Sequence, residues 1–229
     1  MKQLPLAISL DDRASFSNTY VSKANQLLVN RLKHLSLNSH SDSIFLWGSK
    51  DSGLTHLLEA IQNAHQELAI QYLPLNLLKT YEPEEIISGV EAMDLVCIDD
   101  LEAIAGLAPW EQNLFHLFNR LKDADKPLII ASHTSARQLP LQLPDLKSRC
   151  QWLTLYKLHT LSDSEKMELL QYRAKNLGMA IADEVAYFLI KRISRSTHQL
   201  VELLEKLDRQ SLAAQRKITI PFVKKILEL

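Results

Sequence analysis

The chain has 229 residues, 46% of them hydrophobic and 23% charged, and a formal net charge of −1. This composition is typical of a globular protein and excludes a low-complexity chain, and the length suffices for an α/β domain with a small second domain. The near-neutral charge, without a block of like charges, does not require a nucleic-acid or membrane partner.

Four strand-length apolar runs precede residue 133, at Ser43–Trp47, Ile70–Leu75, Asp94–Ile98 and Pro127–Ser132. They are continuously apolar, which is typical of strands buried on both faces of a parallel sheet. Segments with helical periodicity lie between them, at Thr55–Glu67, Pro83–Val90 and Trp110–Ala124. Alternating strands and helices predict βαβ units, and Trp152–Tyr156 is a candidate fifth strand.

After His159 the pattern becomes helical. Ser162 and Glu165 have the spacing of a capping box, and Gly178 stands where that helix would end. Three further helices are predicted, at Asp183–Ile193, Ser196–Ala214 and Pro221–Leu227. We therefore expect three parts: a flexible peptide over 1–14, an α/β domain over 15–159 and a helical lid over 160–229.

Cys97 and Cys150 are the two cysteines, and they form neither a CxxC motif nor a metal-like cluster. Cys97 lies inside an apolar run, so we expect a buried, reduced thiol. No signal-peptide core and no apolar stretch of membrane-spanning length is present. The sequence therefore favours a soluble cytoplasmic protein without a bound metal.

A strand-to-helix junction at Gly48–Thr55 has the spacing of a phosphate-binding loop. Gly48 and Gly53 bound the loop, and Thr55 stands where a hydroxyl would ligate Mg²⁺. Leu54, however, occupies the position of the lysine that contacts the β- and γ-phosphates, so turnover of ATP is not expected. A plain strand–turn–helix remains the alternative. Asp99 and Asp100 end the third apolar run, as a Walker B acidic pair would.

Several segments in order resemble the nucleotide-binding domain of the DnaA-related AAA+ family. The resemblance covers about residues 15–229 and rests on the segments Ser15–Val21, Ile44–Leu58, Leu95–Leu101, Ile129–Leu139, Leu146–Arg149 and Arg216–Leu229. It implies an AAA+ fold with a parallel five-stranded sheet flanked by helices and a small all-helical lid domain.

The resemblance also implies roles for individual residues. Ser132 belongs to the sensor 1 strand, His198 replaces the sensor 2 arginine, and Arg149 matches the arginine finger. His133 stands where DnaA-like sequences often have an acidic residue. With Gly48, Gly53, Thr55, Asp99 and Asp100, Ser132 and His198 make up the predicted nucleotide site. ADP is the candidate cofactor, with Mg²⁺ only if nucleotide is bound. A surface arginine paired with Asp145 is the alternative for Arg149.

Two terminal features are similar to the Hda branch of this family. The chain ends at Leu229, where the lid ends, without the helix-turn-helix DNA-binding domain of DnaA. Near the start, Gln3, Leu4, Leu6 and Ile8 resemble a peptide that docks on the replication sliding clamp. Pro5 favours an extended conformation at the residue before it. A frayed terminus or an edge strand is the alternative for this peptide.

The resemblance implies a negative regulator of replication initiation. Docked on the DNA-loaded sliding clamp of DNA polymerase III, it would stimulate ATP hydrolysis by DnaA in trans through Arg149, without acting as an ATPase itself. DNA would be reached through the clamp, and homo-oligomerisation is left open. The alternatives are an adaptor that targets partners without stimulating hydrolysis, and an active ATPase or loader subunit.

Overall fold

The apolar runs of the sequence form a central sheet in the computed structural model, which describes residues 14–35, 39–193, 196–214 and 216–228. The five strands are parallel and lie in the order β2-β3-β4-β1-β5. They are β1 (Ile44–Trp47), β2 (Ile70–Pro74), β3 (Leu95–Asp99), β4 (Leu128–Ser132) and β5 (Thr154–Lys157). The predicted five-stranded parallel sheet is confirmed.

Helices cover both faces of the sheet at β1, β3 and β4, which is why these strands are mostly apolar, whereas the edge strand β5 is largely exposed. Neighbouring strand residues enter different core clusters: Phe45 faces one cluster, while Ile44 and Leu46 face the other. The helices of this part are α1 (Gln26–Lys33), α2 (Leu54–Ala64), α3 (Leu75–Leu78), α4 (Pro83–Ile87), α5 (Ala108–Asp123) and α6 (Pro144–Trp152). Cys97 and Cys150 are both buried, as expected for Cys97.

Beyond β5 the described chain is helical and has its own apolar cluster. Its helices are α7 (Asp163–Asn176), α8 (Asp183–Arg192), α9 (Thr197–Ala214) and α10 (Ile220–Leu227). The capping box of Ser162 and Glu165 is present, and Gly178 has a φ of +78° after α7. Thr219 accepts a hydrogen bond from the backbone N–H of Phe222 and caps α10.

Two boundaries that differ from the prediction change how the chain is divided into elements. Trp152 ends α6 instead of starting the last strand, so β5 begins at Thr154. The α4 helix stops at Ile87, because Gly89, with a φ of +76°, turns the chain into a short 3₁₀ helix.

No helix in the described part of the chain is both long and apolar enough to span a bilayer.

Candidate functional site

A cavity of about 840 Å³ lies between the carboxyl end of β1 and the helical lid. The loop before α2 lines one side, and Thr197, His198 and Val201 of α9 line another. Ligands of open α/β sheets bind beyond the carboxyl ends of the strands, and small-molecule sites usually measure about 300–1,000 Å³. The cavity therefore has the place and the size of a nucleotide site.

The loop that follows β1 has the backbone geometry of an anion cradle. At Gly48 a Cβ atom would lie 2.6 Å from both the Leu158 carbonyl oxygen and Ser52 Oγ, so only glycine fits. Gly53 has a φ of +92° and leads directly into α2. The first N–H groups of α2 lack partners within the helix and can bind an anion. The loop thus fits the phosphates of a nucleotide.

The cation normally found at the end of this loop is missing. Leu54 is buried, with 2% of its surface exposed, and its side chain lies in the core beneath the sheet. It therefore adds no polar atom to the cavity. Lys50, which the sequence interpretation passed over, lies on the loop and lines the cavity.

The carboxylate of Asp99 is buried at the end of β3 and accepts hydrogen bonds from two hydroxyl groups. Thr55 Oγ1 and the Tyr72 hydroxyl each donate to Asp99 Oδ2, both at 2.8 Å. Burial, and secondarily the Asp99 charge, raise the pKa of Tyr72, so this phenol remains a donor. Thr55 and Asp99, the two residues with predicted Mg²⁺ roles, are therefore in contact, and Tyr72 is a partner that the sequence did not reveal.

A second polar group surrounds Asp100, whose backbone has a φ of +54°. Asp100 Oδ1 lies 3.4 Å from His133 Nε2. Glu102 accepts hydrogen bonds from Ser132 Oγ at 2.6 Å and from the His133 backbone N–H at 3.2 Å. Burial raises the pKa of Asp100, and the charges of Asp99 and Glu102 raise it further. Ser132 and Asp100 are therefore linked through Glu102 and His133.

The lid brings other side chains to the cavity. His198 Nε2 lies 3.4 Å from Glu202 Oε1, and 81% of the His198 side chain is exposed. Arg173 of α7 lines the same cavity. His198 therefore lines the cavity as predicted, while Arg173 is a lid cation to which the sequence analysis assigned no role.

Arg149 lies on α6 and is absent from the lining of the large cavity. Its guanidinium carbon lies 5.3 Å from the ring centroid of Trp152 and 6.0 Å from that of Phe115. The alternative pairing with Asp145 is not formed within the described residues; Arg149 instead borders a small cavity of about 130 Å³ beside Trp152. The arginine is held by aromatic faces and does not serve the nucleotide cavity of its own chain.

A buried carboxylate holds the start of α6. Glu111 of α5 is 1% exposed. Its oxygens accept hydrogen bonds from the backbone N–H groups of Gly106 at 2.7 Å, Gln142 at 2.9 Å and Leu143 at 2.6 Å. Leu143 is the residue before α6, so Glu111 fixes where the helix carrying Arg149 begins.

The predicted clamp-binding residues Gln3, Leu4, Leu6 and Ile8 lie outside the described residues. Their role stays a prediction from the sequence.

Two family models match almost the whole chain. The model described as the bacterial DnaA ATPase domain matches residues 10–157, and the model described as the Hda lid domain matches residues 163–227. The chain belongs to the Hda/DnaA-related AAA+ family. An uncharacterised protein of Haemophilus influenzae is 43% identical over 232 residues, covering 100% of this chain and 99% of that protein.

Solved structures of the DnaA-related family and of other AAA+ proteins share the fold. Domain III of Thermotoga maritima DnaA has a TM-score of 0.77 at 22% identity and covers 96% of this chain and 98% of its own. AMPPCP-bound DnaA from Aquifex aeolicus has a TM-score of 0.69 at 22% identity, covering 90% and 71%. The Thermotoga maritima RuvB branch migration motor has a TM-score of 0.66 at 16% identity, covering 93% and 73%. At these identities the likeness shows the AAA+ fold.

Proposed function

We propose that this protein stimulates ATP hydrolysis by DnaA in trans, through Arg149, while it is docked on the DNA-loaded sliding clamp in the cytoplasm. Membership of the Hda/DnaA-related family supports DnaA as the partner. The observation that carries the proposal is the position of Arg149, outside its own chain's nucleotide cavity and ordered by two aromatic rings.

The contacts of Arg149 order the guanidinium without locking it in place. A cation–π contact at an exposed site contributes about 0.5–1 kcal/mol, so Phe115 and Trp152 together hold Arg149 by about 1–2 kcal/mol. An arginine finger supplied in trans is worth about 10³–10⁵ in rate, which corresponds to about 4–7 kcal/mol. The free energy gained when Arg149 stabilises a partner's transition state therefore exceeds the free energy lost when its guanidinium leaves both rings.

The groups around this chain's own cavity support a regulator without its own ATPase cycle. Leu54 is a core residue, and His198 replaces a guanidinium with an imidazole beside Glu202. The backbone cradle remains, and it is suited to the phosphates of ADP. We therefore propose weak nucleotide binding with ADP preferred over ATP, and with Mg²⁺ held near Thr55 and Asp99 only when nucleotide is present.

The decisive experiment measures DnaA ATP hydrolysis with this protein, the clamp and DNA, each omitted in turn. Arg149→Ala should remove the stimulation while leaving clamp binding and thermal stability nearly unchanged. Arg149→Lys should also be poor, because lysine lacks the planar fork of donors. Arg192→Ala, which removes an exposed arginine from the end of α8, is the matched control and should stimulate normally.

The two alternative functions give different results in the same assay. An adaptor would bind DnaA and the clamp but leave hydrolysis unchanged, and Arg149→Ala would then have no effect. An active ATPase would hydrolyse ATP without DnaA, and Asp99, with its Thr55 contact, is the feature that favours it. Stimulation by Arg149→Ala equal to that of the unaltered protein would refute the finger.

A further inference from the structure

Three metal-ligating side chains meet at the carboxyl ends of β3 and β4. Asp100, Glu102 and His133 each offer one ligand atom, and these atoms all lie within 4.8 Å of one another. All three residues are partly buried. The imidazole distinguishes this cluster from an ordinary acidic patch, because imidazole is a ligand of transition-metal ions whereas Mg²⁺ prefers oxygen.

The hydrogen bonds of His133 determine which ring nitrogen faces the cluster. His133 Nδ1 lies 3.3 Å from the carbonyl oxygen of Gly48, and a carbonyl oxygen can only accept, so Nδ1 carries a proton. The other nitrogen, Nε2, faces Asp100 Oδ1 at 3.4 Å. In a neutral imidazole both of these atoms present lone pairs, and a cation between them would relieve their repulsion.

The spacing of the ligand atoms suits a small divalent ion. Bonds of about 2.0–2.1 Å in a tetrahedral zinc site place neighbouring ligand atoms about 3.3–3.4 Å apart. The observed separation of His133 Nε2 and Asp100 Oδ1 is 3.4 Å. These two atoms could therefore bind one ion with little movement.

Neighbouring groups hold the ligands in place, as outer-shell partners do in metal sites. The Gly48 carbonyl orients the His133 ring. Ser132 Oγ donates to Glu102 Oε2 at 2.6 Å and fixes that carboxylate.

This cluster is separate from the Mg²⁺ position of a phosphate loop. That position uses Thr55 and Asp99, which are hydrogen-bonded to each other and to Tyr72. We propose that Asp100, Glu102 and His133 bind one divalent transition-metal ion, with Zn²⁺ the best suited, at the edge of the nucleotide cavity. His133 lines that cavity, so water or a phosphate oxygen from the cavity could complete the coordination of the ion.

The test is a Zn²⁺ titration of the full chain by calorimetry, after treatment with a chelator and without nucleotide. We expect one tight site, and His133→Ala and Glu102→Gln should each weaken it by about tenfold or more. His159→Ala removes an exposed histidine that contacts Asn25 only through its backbone, and should bind Zn²⁺ like the unaltered protein. A hundredfold excess of Zn²⁺ over its Kd should raise the Tm by about 5–10 °C.

Other outcomes would overturn the proposal. Binding lost equally in His133→Ala and His159→Ala would mean nonspecific histidine binding. Binding lost in Thr55→Ala as strongly as in His133→Ala would place the ion at the phosphate-loop position. Mg²⁺ competing at concentrations comparable to Zn²⁺ would exclude an imidazole ligand. If His133→Ala does not fold, the visible spectrum of the unaltered protein loaded with Co²⁺ tests the site instead. Absence of the absorption band of a tetrahedral nitrogen–oxygen site would then refute it.

Discussion

The substitution Glu111→Gln tests most directly how the helix that carries Arg149 is held in place. Its buried carboxylate receives three backbone N–H groups, two of them from Gln142 and Leu143 at the start of α6. Glu111→Gln keeps the side-chain shape but replaces one oxygen with an NH₂ group. That NH₂ group would face the N–H of Gly106 or Leu143, depending on the amide orientation.

The magnitude follows from what the substitution breaks. A hydrogen bond to a charged group contributes about 1.5–3 kcal/mol, and a buried donor left without a partner costs about 1–3 kcal/mol. Glu111→Gln loses at least one such bond and leaves at least one N–H facing an NH₂ group. We expect the free energy of unfolding of the α/β part to fall by about 3 kcal/mol, and its Tm by about 6–12 °C.

Urea unfolding followed by tryptophan fluorescence measures this loss. All three tryptophans precede residue 158, so the signal comes from the part of the chain that contains α5 and α6. Glu85→Gln, at an exposed glutamate of α4, is the matched control and should change stability by less than about 0.5 kcal/mol. A loss in Glu111→Gln no larger than in the control would refute the anchoring role. Faster amide exchange at Leu143 would confirm that the start of α6 has loosened.

Four further predictions concern other parts of the chain. Burial raises the pKa of both thiols, that of Cys150 to about 12, so neither Cys97 nor Cys150 should react with Ellman's reagent at pH 8 before unfolding; rapid reaction of the native protein would contradict this. Since unfolded thiols ionise above about pH 8.5 and the buried ones do not, the free energy of unfolding should fall between pH 8.5 and about 12, and replacing both cysteines with alanine should flatten that slope. Deletion of residues 1–8 should abolish clamp binding with no change in Tm, and an unchanged clamp affinity would refute the docking peptide. Calorimetry should find ADP bound more tightly than ATP because Leu54 supplies no cation, and tight ATP binding with turnover would contradict this.

The parts of the fold that the sequence predicted are those with strong local patterns. The strands β1, β3 and β4 are mostly apolar because both sheet faces are covered there, and the spacing of Ser162 and Glu165 marked the start of a helix. The helix α6 escaped prediction because it buries only Leu146 and Cys150, too few positions to give a helical period. A helix that exposes most of its surface leaves little trace in an apolar pattern.

The candidate site was predicted where a residue's role is local and missed where its partners are distant in sequence. Gly48 and Gly53 could be recognised because the loop demands glycine. Nothing local in the sequence marks Glu111, because two of the backbone N–H groups that it binds belong to a loop about 31 residues away. Tyr72 likewise became a partner of Asp99 only through the pairing of β2 with β3.

The close fit at Gly48 shows how a sequence motif can be retained for packing after the chemistry it usually supports has been lost. Any side chain there would collide with the backbone that leaves β5 and with Ser52 inside the loop, whether or not phosphate ever binds. Folding alone therefore suffices to retain this glycine, whereas the neighbouring Leu54 position tolerates an apolar residue that joins the core. A phosphate-loop signature at this junction can outlast nucleotide hydrolysis, so its glycines report architecture and only the cation position reports catalysis.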